Sequence, residues 1–274
     1  MRLKALGLRL MSAGIAIPLV LVVFWLADRY SLDWLAGLLI ATTGTIAGWE
    51  YLGLVARLGI PLPRELFLGA TPIYLMLAVL WNGRYAMVVG WAVVYLIVIY
   101  SFSRKGYREG FLASLAGIFG FLYIPVLLSF LYLIYRGGFW YLVQFLFIVW
   151  GYDTGAYFVG SLLGRHRLLP RISLAKTWEG VAGGLALAIA GAMICPPFWR
   201  GATPVWLHLV ILGIWVGSFV QLGDLFESLL KRAAGVKDAG RIFPGHGGVL
   251  DRIDGLLASI PIYFFYLHFV LKLI

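Results

Sequence analysis

Nine runs of roughly twenty mostly apolar residues follow one another along this chain, near 8–27, 34–56, 66–82, 85–102, 111–135, 139–163, 178–196, 205–229 and 253–273. A helix needs about 20 such residues to cross a bilayer, because only an internally hydrogen-bonded backbone survives there. Nine of them predict an all-α polytopic integral membrane protein with about nine transmembrane helices. Composition agrees: 62% of the residues are hydrophobic and only 12% charged, against about 25% charged in an ordinary soluble domain. A water-soluble globule of this size could not hide so much apolar surface. A soluble enzyme, a nucleic-acid-binding domain and a disordered tail are therefore excluded. The organisation expected is one membrane domain over 1–274, with N-terminal helices in 1–135 and C-terminal helices in 139–274.

The net charge of +10 reads as a topology signal, since Lys and Arg favour cytoplasmic loops. Alternate segments between the nine runs hold 17 of the 22 positive residues, among them Arg57, Arg64, Arg165, Lys176, Lys231, Lys237 and Arg241. This predicts a cytoplasmic N-terminus and a C-terminus on the opposite side. The first run, behind Arg2, Lys4 and Arg9, continues to about Ala27 with no small-residue cleavage site after it, as an uncleaved signal anchor would. A lone Cys195 excludes a disulfide framework and a cysteine zinc cluster. Glycine pairs four residues apart (44/48, 151/155, 160/164, 180/184, 213/217) predict close helix packing. Pro18, Pro72 and Pro125 predict kinks.

Only twelve acidic residues are present, so their placement carries information. The densest polar stretch is 223–255. Asp224, Glu227, Ser228 and Lys231 share one helix face at i, i+3, i+4 and i+7. Lys237 and Asp238 follow in a loop. Pro244-Gly245-His246-Gly247-Gly248 cannot be regular helix and allows close backbone approach. Asp251, Arg252 and Asp254 then open the last span, the two aspartates three residues apart.

Carboxylates at a helix start also serve as caps, which accounts for one of them and not for the whole set. A second stretch runs from Asp153 to Lys176-Thr177-Trp178-Glu179 and opens to the same side. Two or three carboxylates can hold Mg²⁺ together with phosphate oxygens. Lys231, Arg232, Lys237, Arg241 and Arg252 can neutralise phosphate, and the Gly247-Gly248 amides can add donors. His246 suits either a phosphate donor or proton carrier, or a turn-stabilising role.

Ser228-x-x-Lys231-Arg232, Lys237-Asp238-x-Gly240 and Phe243-Pro244-x-His246-Gly247-Gly248-x-x-Asp251-Arg252-x-Asp254 resemble the signature of phosphatidate cytidylyltransferases. Asp153-Thr-Gly-Ala-Tyr157 and Lys176-Thr-Trp-Glu179-Gly180 extend the likeness over 150–255, and Trp49-Glu50-Tyr51 adds to it. Ser173-Leu174-Ala175-Lys176 departs from the family's usual Ser-Pro-Lys-Lys but keeps the last lysine. The resemblance implies a nucleotidyltransferase converting CTP and phosphatidate to CDP-diacylglycerol and pyrophosphate. It also implies dependence on Mg²⁺, with room for a second cation such as K⁺, and a homodimer in the inner membrane whose active site faces the cytoplasm.

On that basis Asp224, Asp251 and Asp254 are the expected metal ligands. The catalytic set comprises Asp224, Lys231, Lys237, Asp238, His246, Asp251, Arg252 and Asp254. Substrate binding falls to Asp153, Lys176, Thr177, Glu179, Ser228, Arg232, Arg241, Gly247 and Gly248. Rival readings are a CTP-dependent enzyme acting on an ether or prenyl lipid, and a proton-coupled transporter relaying through Asp153, Glu50 and Asp224. A CDP-alcohol phosphotransferase is disfavoured, because Asp254-Gly255 continues as Leu-Leu-Ala-Ser.

Overall fold

A computed structural model describes residues 2–104, 106–194, 206–242 and 247–274, with the side chains of 2–13, 15 and 16 left aside. Helices follow the apolar runs: α1 (Arg2–Tyr30), α2 (Asp33–Arg57), α3 (Arg64–Leu80), α4 (Ala86–Phe102), α5 (Tyr107–Gly137), α6 (Phe139–Leu163), α7 (Trp178–Ala192), α8 (Trp206–Ala233) and α9 (Leu250–Val270). Among the described residues, five helices are long and apolar enough to cross a membrane, namely α2, α5, α6, α8 and α9. By contrast α3 and α4 have 17 residues each and α7 has 15, about 22–25 Å of helix against a hydrocarbon core of about 30 Å. The apolar runs thus become helices where expected, but not every helix has full spanning length. Cys195 and the prolines after it lie outside the described residues.

Large apolar side chains stand exposed along α4, Met87, Trp91, Tyr95 and Phe102 among them. Water does not tolerate such a face on an isolated chain, whereas lipid does. The protein is a helical, membrane-embedded one. An all-α fold needs one amendment: Arg167–Leu169 (β1) and Ser173–Thr177 (β2) pair antiparallel in the α6–α7 connection. This connection is basic, with Arg165, Arg167, Arg171 and Lys176.

The chain divides into two compact units. The first comprises Met1–Tyr132 with Ala233–Ile253, and the second Leu133–Arg232 with Asp254–Ile274. In the first, α2 packs on α3 through its glycine pair: a Cβ at Gly44 would lie 2.7 Å from Leu75, and one at Gly48 3.0 Å from Phe67. The α3–α4 turn uses positive φ at Asn82 (52°) and Gly83 (74°), the left-handed conformation these two residues adopt most readily. Pro125 lies in a π-turn at Leu122–Val126, the local adjustment that accommodates its missing N–H.

In the second unit α6, α7 and α8 meet at small residues. A Cβ at Gly151 would lie 2.7 Å from the Leu187 carbonyl, and one at Gly213 2.6 Å from the Ile189 Cα. Buried Tyr263 donates to the Tyr141 carbonyl and to Gln144 Oε1, both at 2.8 Å, tying α9 to α6.

Candidate active site

The polar residues form two arrangements, one in each unit. In the first unit, Gly235 (φ 69°) ends α8, a common helix stop, and residues 236–242 run as a loop that meets Glu50 of α2 through Gly240. The first turn of α9 offers backbone N–H groups that no helical carbonyl reaches. Two carboxylates satisfy them. Glu50, 2% exposed on α2, accepts from Val249 N (3.1 Å) and Leu250 N (2.7 Å). Asp251 Oδ2 accepts from Gly248 N (2.7 Å) and Ala239 N (2.9 Å), closing the loop onto the helix start.

Glycine is needed at 247, where φ is 84° and a Cβ would lie 2.5 Å from Asp251 Oδ2. Gly240 and Gly248 press directly on the Glu50 carboxylate, leaving no room for a Cβ at either. Beside this buckle lies a cavity of ≈ 610 Å³ whose polar wall is Glu50, Arg57, Arg64, Lys237, Asp238 and Arg241. Arg252 is exposed. His246 lies outside the described residues.

In the second unit, Lys176, the penultimate residue of β2, reaches Asp224 Oδ2 at 2.8 Å. One turn along α8, Lys231 pairs with fully buried Glu227. Asp153 on α6, Asp224 and Glu227 on α8 and Asp254 on α9 are close enough that the first three act electrostatically on the fourth. A Cβ at Gly223 would lie 2.8 Å from that of Ala258, so α8 and α9 approach closely just where Asp224 and Asp254 stand. Asp254 Oδ1 accepts from Gly255 N at 2.8 Å. Tyr152 donates to Gln221 Oε1 at 2.9 Å, while the Gln221 amide nitrogen is shielded with no acceptor among the described residues. Such a donor suits a phosphate or other anionic oxygen.

The hairpin is held by the side chains the sequence singled out. Glu179 accepts from Arg165 N (3.1 Å) and His166 N (3.2 Å) and meets His166 Nδ1 at 2.6 Å. Buried Thr177 caps α7, accepting from Gly180 N at 3.1 Å. Arg232 donates from Nε to the Ile172 carbonyl at 3.4 Å, and Ser228 is half-buried on α8.

Thr177 and Glu179 thus shape the platform that carries Lys176, and Asp251 shapes the loop that carries Lys237 and Arg241. Sequence reasoning missed two things. One is the hairpin, whose three-residue first strand is too short to show an alternation. The other is the place of Arg57 and Arg64 on the cavity wall, since both had served only to assign topology.

Among the described residues, no three His, Cys, Asp or Glu side chains stand in a metal-holding arrangement. The chemistry of the second unit's acids nonetheless fits a hard dication. Mg²⁺ needs only one or two carboxylates beside water and substrate phosphates, and four acids here face two lysines.

A model of the Cytidylyltransferase family matches residues 7–270. The chain is 43% identical over 140 residues to a phosphatidate cytidylyltransferase of Haemophilus influenzae, covering 50% of this chain and 48% of that one. It is 38% identical over 171 residues to a phosphatidate cytidylyltransferase of Staphylococcus saprophyticus, covering 62% and 65%. With the Bacillus subtilis protein of the same name it shares 46% over 120 residues, 44% of each chain. The chain therefore spans between about half and two-thirds of the length of the curated relatives it matches. With a family match running nearly end to end, this chain belongs to the cytidylyltransferase family.

Proposed function

We infer that the protein transfers CMP from CTP to phosphatidate, giving CDP-diacylglycerol and pyrophosphate. The observation that carries this reading is the pairing of Lys176 with Asp224 inside a four-carboxylate cluster, in a chain of this family. A phosphate oxygen of phosphatidate forms the new bond to the α-phosphorus of CTP. The bond from that phosphorus to the α,β-bridging oxygen breaks, and pyrophosphate leaves with the electron pair.

A phosphomonoester carries about −1.5 to −2 charges at neutral pH and is already nucleophilic, so no Ser-His-Asp arrangement is required. The work left to the protein is positioning and charge neutralisation. Mg²⁺ bound by Asp224 and Asp254 would offset the charge building on the transferring phosphoryl group, with a second cation such as K⁺ as a further partner. Lys176, freed from Asp224 when phosphate arrives, and Lys231 would take phosphate oxygens. Lys237, Arg241 and the Gly247 and Gly248 amides, on the loop that Asp251 closes, form a separate set of phosphate-binding donors within the first unit. Asp153 belongs to the acidic cluster, Ser228 and Arg232 follow Glu227 along α8, and Asp238, His246 and Arg252 belong to the signature loop and its exit.

The residues that the sequence places on one side also meet within each unit. Arg57 and Arg64 share a cavity with Lys237 and Arg241, and Arg232 reaches the β-hairpin. Both pairings support nine crossings, counting the shorter helices, with a cytoplasmic N-terminus. They also support a site facing the cytoplasm at the inner membrane. A homodimer is part of the same reading. Glu50 is engaged by two backbone amides, which weighs against its use in a proton relay.

Purified protein given CTP, dCTP or ATP with phosphatidate tests this reading. Liponucleotide from a cytidine nucleotide and none from ATP is expected. Acceptance of an ether or prenyl phosphate in place of phosphatidate would favour the related lipid enzyme.

A further inference from the structure

Arg57 and Arg64 have no role in the chemistry above, yet the fold puts them on the wall of the ≈ 610 Å³ cavity with Lys237 and Arg241. Among the described residues none of these four cations is in an ion pair, whereas Lys176 and Lys231 each are. Of the two acids on the wall, Glu50 is occupied by the Val249 and Leu250 amides, which leaves Asp238.

Helix electrostatics account for only one of the arginines. Arg57 ends α2, where a cation is favoured, but Arg64 opens α3, where a cation opposes the helix dipole. The volume is that of a small-molecule site. Three guanidinium forks and one lysine ammonium around one space match several phosphate oxygens.

We propose that Arg57 and Arg64 complete a phosphate-binding subsite with Lys237 and Arg241, taking the phosphate oxygens of a substrate or product of the transfer. The proposal rests on the CMP-transfer reading and adds to it two N-terminal residues. The phosphate is either the polyphosphate of the nucleotide or the phosphomonoester of the lipid, and kinetics separate the two.

The full chain in neutral-detergent micelles is assayed as wild type, Arg57→Gln, Arg64→Gln and Arg57→Lys. CTP is varied at saturating phosphatidate, then the reverse, with inhibition by added pyrophosphate measured alongside. Both side chains are exposed, so the folded state tolerates these changes. Each Gln variant is expected to raise KM about tenfold, the scale of one lost charge-assisted contact, with partial rescue by Arg57→Lys.

A rise confined to CTP, with weaker pyrophosphate inhibition, assigns the nucleotide. A rise confined to phosphatidate assigns the lipid phosphate. Unchanged KM for both in neutral micelles overturns the subsite, as does an effect that appears only when anionic lipid is added. A wild type that makes no liponucleotide overturns the transfer reading instead.

Discussion

Glu50 Oε2 accepts a hydrogen bond from Leu250 N at 2.7 Å, across 200 residues of sequence. With Oε1 on Val249 N at 3.1 Å, one buried carboxylate on α2 fastens the start of α9 and, through it, the signature loop. An acceptor is needed there because a helix start leaves amides that cannot remain unpaired in an apolar surrounding.

Replacing Glu50 with Ala strands both amides. Each buried unsatisfied group costs roughly 1–3 kcal/mol, so a combined loss of about 2–6 kcal/mol is expected. Thermal unfolding in detergent should show a clear fall in midpoint, and Glu50→Gln, which keeps one acceptor, a smaller one. Equal midpoints for wild type and Glu50→Ala would count against the anchor.

Asp251 acts on the same loop through Ala239 N and Gly248 N. Asp251→Ala should therefore release residues 236–242, raising amide hydrogen exchange there and reducing CMP transfer by roughly 10²-fold, in the range of losing one preorganised electrostatic element. Unaltered exchange and full activity would rule out its role.

Gly247 holds φ 84° with Asp251 Oδ2 where a Cβ would be. Gly247→Ala should cost about 1–2 kcal/mol in backbone strain alone, and Gly247→Val more. Unfolding midpoints that do not move would show that this turn is not held in the left-handed conformation.

Lys176 and Asp224, 2.8 Å apart, form a pair whose coupling is measurable. Asp224→Asn and Lys176→Met should each lower turnover by roughly 10²–10³-fold, and the double variant should lose less than the product of the two. Strict multiplicativity would mean that the two side chains act independently. Asp224→Asn should also raise the Mg²⁺ concentration needed for half-maximal rate if any activity remains.

How much of this was legible beforehand follows from which physics acts locally. Helix positions depend on runs of apolar residues, so α2, α5 and α6 lie within a few residues of the stretches that announced them. The Asn82-Gly83 hairpin is equally local. The close packing at Gly151 and Gly213 followed from spacing, although the partner helices did not. Non-local pairings were hidden: nothing near Glu50 names Leu250, and nothing near Lys176 names Asp224.

The second aspartate of the last motif illustrates the gap. Sequence spacing placed Asp251 and Asp254 alike at a helix start, but the fold gives them different duties, one closing a loop and the other joining Asp224 on the facing helix. Arg57 and Arg64 read as topology markers because the residues that share their cavity, Lys237 and Arg241, lie 173 to 184 residues later.

The most direct test of the central claim is one incubation of purified protein with CTP labelled at the α-phosphate, phosphatidate and Mg²⁺ in micelles, with Asp224→Asn in parallel. The account predicts label in the lipid fraction as CDP-diacylglycerol, with an equal amount of pyrophosphate released, and almost none from Asp224→Asn or after chelation of Mg²⁺. No labelled lipid from the wild type at any Mg²⁺ concentration would contradict it.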